Sequence, residues 1–274
     1  MKASYQDFIN ECWSNHDKES NLVANNLISN LDLIETTEQI PGYVSLVTHT
    51  FGGHLGKWSE AIELLKNICE LKAFKNNQAV YRGLATMSYC LDDENEFNKY
   101  VELSTQEGSN VKIYAVAATE LIGQGDFMKA TMAFNKALAH APENMEKDNP
   151  CASAIAISGN NLACELEEKP NRSDSEVELM LIAAKAARKY WEIAGGWTEV
   201  ERAEYRLAMS YLQANDPFSA LEHARLCESI CKENNANPFE SFFAYEALTK
   251  VNRALCKEFK SKVKPEFQSY CAIP

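Results

Sequence analysis

Glycine and proline are scarce in this chain, 11 and 8 among 274 residues, and that scarcity argues against a turn-rich all-β fold. No apolar run approaches the roughly 18–20 residues that a membrane span requires. The opening Met1-Lys2-Ala3-Ser4-Tyr5-Gln6-Asp7 lacks the apolar stretch of a secretory signal. Basic residues are outnumbered, 27 Lys and Arg against 39 Asp and Glu, for a net charge of -12. That balance disfavours general nucleic-acid binding, which needs a cationic surface to release counterions. The nine cysteines are odd in number and irregularly spaced, unlike a disulfide framework. HExxH, CxxC and G-x-S-x-G are all missing, which removes the motif-level case for a hydrolase or redox enzyme. The expectation is a protein of a reducing cytoplasm, with no membrane span, no catalytic residues, no metal and no cofactor.

What the chain does have is a repeat. Ala61, Glu96 and Ala130 lie 35 and 34 residues apart, and the same steps connect Leu65, Tyr100 and Phe134, then Ile68, Leu103 and Ala137. Small or apolar residues returning at that interval mark a helix-turn-helix unit that cannot bury its apolar face alone and stacks on copies of itself.

Hydrophobic periodicity predicts helices over 3–15 and 20–35, with Phe8, Ile9, Cys12 and Trp13 on one apolar face and Leu22, Val23, Asn26, Leu27, Leu31 and Ile34 approximating another. Pro41-Gly42 breaks the pattern and opens the periodic region. Helix pairs follow at 43–54 with 58–72, 77–91 with 94–105, and 110–123 with 127–140. In the third pair Gly125 frees the backbone for the turn, Asp126 caps the next helix and Pro142 ends the unit.

The run Ala118-x2-Leu121-x3-Gly125-Asp126-Phe127-x2-Ala130-x3-Phe134-x2-Ala137-x4-Pro142 resembles the tetratricopeptide repeat. Leu207-Ala208-x2-Tyr211, Asp216 and Ala220-x3-Ala224 form a second match. Asn160-Asn161-Leu162-Ala163-x2-Leu166 resembles the first helix of a kinesin-light-chain-type repeat, with Ala183, Ala187 and Tyr190 on its second helix. Here 20 residues separate Ala163 from Ala183, against 12 between Ala118 and Ala130, so an elongated loop is expected at 168–175. The pattern departs at Glu96, where a small residue is usual, and at His49, where Gly or Ala is.

The resemblance implies an all-α fold, a right-handed superhelical array of antiparallel helix pairs (a TPR-like α-solenoid). Residues 1–41 would form an N-terminal helical cap, 42–250 the repeats, and 251–274 a C-terminal capping helix and tail. It also implies a concave groove lined by first helices. Carried over residue by residue, that groove would contain Lys112, Ala115, Thr119 and Ile122, then Asn160 and Cys164, then Arg202, Tyr205, Met209 and Leu212. An asparagine amide donates and accepts and can bracket a peptide backbone, while Tyr and Arg are frequent interface anchors. The Lys, Arg and Asn set with which chaperone-binding members hold a terminal carboxylate is replaced by Ala115, Thr119, Tyr205 and Met209. A protein or peptide partner held in the groove is the leading expectation, and a ligand- or peptide-responsive regulator the alternative.

Other candidates are weaker. Gly52-Gly53-His54-Leu55-Gly56-Lys57-Trp58 has three residues where a phosphate loop has four, and no preceding strand, so it reads as an inter-helix turn. His223, Cys227 and Cys231 share a helix face and could ligate a metal, but buried cysteine is commonly a packing residue. His49 and His54 are five apart, poorly placed to meet on one helix. Acidic runs at 92–96 and 165–168 suit helix ends. Residues 238–260 read as a further helix, on which Phe239, Phe242, Phe243, Tyr245 and Ala247 supply a dense aromatic face. Lys250, Arg253, Lys257, Lys260 and Lys264 form a basic stripe that could meet an acidic partner, an anionic membrane or RNA.

Overall fold

The computed structural model describes residues 4–147 and 149–270, with side chains described to residue 259. Among these residues every regular element is helical, and no helix is long and apolar enough to cross a membrane. The chain divides into two compact units, Met1–Glu143 and Asn144–Pro274.

The first unit contains α1 (Tyr5–Asn15), α2 (Ser20–Ser29), α3 (Ile40–Val47), α4 (Trp58–Cys69), α5 (Gln78–Cys90), α6 (Glu94–Leu103), α7 (Ser109–Gly123) and α8 (Phe127–His140). Residues 1–41 share their core with the helices that follow. Phe8, Ile9 and Cys12 of α1 and Val23 and Leu27 of α2 share one core with Tyr43, Leu46, Phe51, Leu65, Leu84 and Met87. The buried Tyr43 hydroxyl donates to the Leu27 carbonyl, and Tyr5 to that of Gln39, so two phenols tie α1 and α2 to α3. Pro41 stands where a new helix opens, after the short 3-10 turn Thr37–Gln39. It sits in the first turn of α3, where a missing N–H costs nothing because first-turn donors have no intrahelical partner.

Neighbouring helices pack against each other in sequence order, α5 on α6 and α7 on α8, an arrangement compatible with a helical repeat. Ala61 and Ala130, two of the 34-residue markers, are fully buried, as are Leu65, Phe134, Ile68 and Ala137. Glu96, the departure from the pattern, keeps its position by pairing with Lys66 at 3.0 Å and Lys99 at 2.8 Å. Those two ammonium groups, Lys99 first, draw its carboxyl down to about 2.

The inter-helix turn is one device used three times. Asp92 (φ 63°), Gly125 (φ 76°) and Asn215 (φ 58°) adopt the left-handed conformation. The next residue is an aspartate whose carboxylate accepts from the backbone N–H three residues on. Asp93, Asp126 and Asp216 each also donate a backbone bond to the carbonyl five residues back, to Ser88, Leu121 and Tyr211. That 6→1 bond closes one helix as a Schellman motif while the carboxylate opens the next.

The second unit contains α9 (Pro150–Glu168), α10 (Asp174–Ala194), α11 (Trp197–Gln213), α12 (Pro217–Glu233) and α13 (Pro238–Tyr270). Ala152, Ala156 and Ala163 of α9 and Ala183, Ala184 and Ala187 of α10 are buried, and such small side chains let the two backbones approach. The residues inserted near 168–175 chiefly lengthen these helices, leaving a connection of only 169–173. Arg172 holds it closed, donating from Nη1 to the carbonyls of Leu166, Glu167 and Lys169 at 2.7, 2.9 and 2.7 Å. The last helix runs through residue 251 without interruption. Its buried stripe is Glu240, Ala244, Ala247, Val251 and Leu255, whereas Phe239, Phe242 and Tyr245, three members of its aromatic face, are turned to solvent.

Candidate functional site

Thr48–His54 is a π-helical turn continuing α3. In an α-helix, residues five apart point about 140° away from each other. The wider i→i+5 turn instead brings His49 and His54 onto adjoining lines, and their ring centroids lie 4.7 Å apart. The expectation that they could not meet on one helix is therefore corrected.

Two glycines make the turn possible. A Cβ on Gly53 would stand 2.4 Å from Oε2 of Glu120, and one on Gly123 would stand 2.7 Å from the Gly53 carbonyl. With both positions bare, α7 lies close against the turn, and Gln124 Nε2 donates to that carbonyl at 2.5 Å.

His16, at the C-terminal end of α1, completes a trio. Its ring lies 5.1 Å from that of His49 and 5.2 Å from that of His54. One ligand nitrogen from each ring falls within 4.8 Å of the other two. His16 Nδ1 lies 2.5 Å from the Trp13 carbonyl, which assigns that nitrogen the proton and leaves Nε2 as the lone pair. Nε2 of His16 and Nε2 of His54 approach the same carboxylate oxygen, Asp17 Oδ1, at 3.3 and 3.4 Å. His49 Nδ1 faces Glu120 Oε2 at 3.7 Å, a charge contact longer than a hydrogen bond. Glu120 is 3% exposed, and that oxygen has no hydrogen-bond partner.

The electrostatics follow from crowding and burial. Burial raises the Glu120 carboxyl above its ordinary range. For His49 burial works downward, but Glu120 and Asp17 outweigh it and the net direction is up. His54 is pushed down by burial and then by His49 and His16.

In the second unit the polar groups are spent on one another. His223, Cys227 and Cys231 do not converge on a common point. His223 Nδ1 meets Glu204 at 2.7 Å and stacks on Tyr211, while the Cys227 thiol donates to Glu201 at 2.8 Å. Burial, then Glu201, pushes that thiol far up. Glu204 also accepts from Arg188 Nε, and Glu167 from Arg206 and Ser210.

The residues expected to line a groove have these places. On α7, Ala115 and Ile122 are buried and the Thr119 hydroxyl bonds its own helix at Ala115, while Lys112 is half-buried. On α9, Asn160 and Cys164 are half-buried neighbours, 3.8 Å apart from Nδ2 to Sγ. On α11, Arg202 pairs with Glu240 and Tyr205 donates to Glu246 at 2.8 Å, both acceptors lying on α13. Met209 is buried, and Leu212 packs at the edge of the α11–α12–α13 core. The α11 residues are thus turned toward α13. Lys250 pairs with Glu246 at 2.8 Å, and Arg253 and Lys257 are exposed. The side chains of Lys260 and Lys264 lie outside the described residues.

Sequence reasoning missed the trio because it assumed an α-helical period throughout 43–54. The signal was present in the Gly52-Gly53 pair inside an otherwise helical, β-branched run. No protein-family model, curated protein or solved structure matches this chain.

Proposed function

We propose that this chain is a TPR-like helical-repeat protein and acts as a non-enzymatic interaction module, holding a peptide or protein segment in the concave groove of the array. The observation that supports this best is on α13, which follows the α11–α12 pair and so takes the place of a first helix, the class that lines the groove in the family it resembles. Phe239, Phe242 and Tyr245 are 61%, 62% and 54% exposed there, with Phe239 and Phe242 both set edge-on against Phe243. Aromatic side chains left in water on one helix face are the usual anchors of protein interfaces. A cleft of about 220 Å³ adjoins Tyr245 and includes Cys231, Lys232 and Ala244.

The test is affinity capture from native lysate by the parent chain and by a Phe239→Ser/Phe242→Ser variant, with Asn160→Ala as a second variant. These side chains are exposed or half-buried, so folding is expected to survive. A protein retained by the parent and lost by either folded variant supports the reading. Equal retention by all three overturns this surface.

A further inference from the structure

Three of the five histidines in the chain meet at one place in the first unit, and nothing in the proposed interaction role uses them. We propose that His16, His49 and His54 form a binding site for a divalent transition-metal ion of the Zn²⁺ type, with Asp17 as a fourth, solvent-facing ligand.

The donor set defines the class of ion. Neutral imidazoles with one carboxylate suit Zn²⁺ and its neighbours in the first transition row, whereas Mg²⁺ and Ca²⁺ prefer oxygen ligands throughout. The geometry is close to closed. A tetrahedral ion about 2.0–2.1 Å from each nitrogen spaces them roughly 3.4 Å apart. Nitrogens already within 4.8 Å of one another reach that spacing by side-chain shifts of about 1 Å.

The surrounding groups orient the rings for this task. His16 Nδ1 is committed to the Trp13 carbonyl, and His49 Nδ1 faces the buried Glu120 carboxylate. Holding the far nitrogen of a ligand ring by a carbonyl or carboxylate fixes the tautomer and aims the other lone pair at the metal. His54 Nε2 is buried and makes no hydrogen bond, yet it lies 3.4 Å from the Asp17 oxygen that also faces His16. A buried polar atom left without a hydrogen-bond partner is costly, and an ion at the centre of the trio, taking the lone pair of that nitrogen, removes that cost. Asp17 is 73% exposed, so the fourth position opens to water.

The site spans two elements that are far apart in sequence. His16 and Asp17 follow α1, and His49 and His54 sit on the π turn after α3. An ion there clips α1 to the turn and closes a loop of more than thirty residues, which makes its binding free energy part of the stability of the first unit.

The test uses the full chain without a histidine tag, stripped by chelator and titrated with ZnCl₂ against a chromophoric competitor. We expect one equivalent per chain. His49→Gln/His54→Gln should weaken it by more than about 100-fold, and Glu120→Gln by about 10- to 100-fold through loss of orientation. His223→Gln should leave it unchanged. Zn²⁺ should raise the Tm of the parent but not of the double variant. Should the double variant fail to fold, His16→Gln decides in its place, because His16 lies beyond the last turn of α1. Loss of the visible bands of bound Co²⁺ in folded His16→Gln supports the site. Binding weaker than about 10 μM in the parent, or affinity unchanged in folded His16→Gln, overturns it.

Discussion

Gly53 and Glu120 are locked together across 67 residues of chain: the space a Cβ would take on one is held by a carboxylate oxygen of the other, 2.4 Å away. This contact explains why the π turn and α7 share a surface, and it carries a prediction. Gly53→Ala should cost about 1–3 kcal/mol, the usual penalty for overpacking a tight interior. Equilibrium urea unfolding measures it. Adding Glu120→Ala should recover part of the loss, because residues in direct contact couple. A Gly53→Ala chain as stable as the parent would mean that the Glu120 carboxylate yields that space at little cost.

The buried Glu204 is held by Arg188 and His223, and Arg188 also reaches Glu192. Burial works to raise the Glu204 carboxyl, but the His223 and Arg188 bonds outweigh it and leave it below the ordinary 4.5. A lowered carboxyl stabilises the fold above its unfolded value, and that stabilisation fades as pH falls through the folded one. The stability gap between the parent and Glu204→Gln should therefore be constant near neutrality and shrink below about pH 5. Arg188→Met, which leaves His223 in place, should cost about 1.5–3 kcal/mol at neutral pH. Urea midpoints at several pH values check both.

The thiols differ in reach and in acidity. Burial and then Glu11 push Cys12 up to about 11, burial pushes Cys90 well above its ordinary value, and Cys227 is raised by burial and Glu201. Cys256 is exposed. Because the thiolate is the nucleophile, iodoacetamide near pH 8 should modify Cys256 at least about 100-fold faster than Cys12, Cys90 or Cys227. Peptide mapping by mass spectrometry reads this directly. In denaturant the four rates should converge, and early modification of Cys227 in the native chain would contradict its burial against Glu201.

Much of the helical plan is legible in the residues themselves. The spans read from periodicity as 110–123 and 127–140 are observed as Ser109–Gly123 and Phe127–His140. The Gly125-Asp126 turn could be read because glycine and aspartate announce a left-handed residue and a cap. Its counterparts at Asp92-Asp93 and Asn215-Asp216 carry the same backbone bonds. Asparagine and aspartate enter that conformation more readily than other residues with a side chain, so the device recurs under a weaker signature. The aromatic face of α13 was legible as a face, but nothing in the sequence said that Phe239, Phe242 and Tyr245 on it stay in solvent. The neighbours present on α11 and α12 instead take the stripe of Ala244, Ala247 and Val251.

Composition and local pattern were thus enough to determine an all-helical chain, the helix pairs and their caps, because those depend on interactions within a few residues. Tertiary structure alone decided where the polar residues go. Arg202 and Tyr205 turn to α13 because Glu240 and Glu246 stand opposite them. His16 meets His49 and His54 because a helix packs beside a π turn that two glycines and a close-lying helix permit. Polar pairings such as these leave no periodic trace in a sequence, since they are set by which surfaces meet after the local elements have formed.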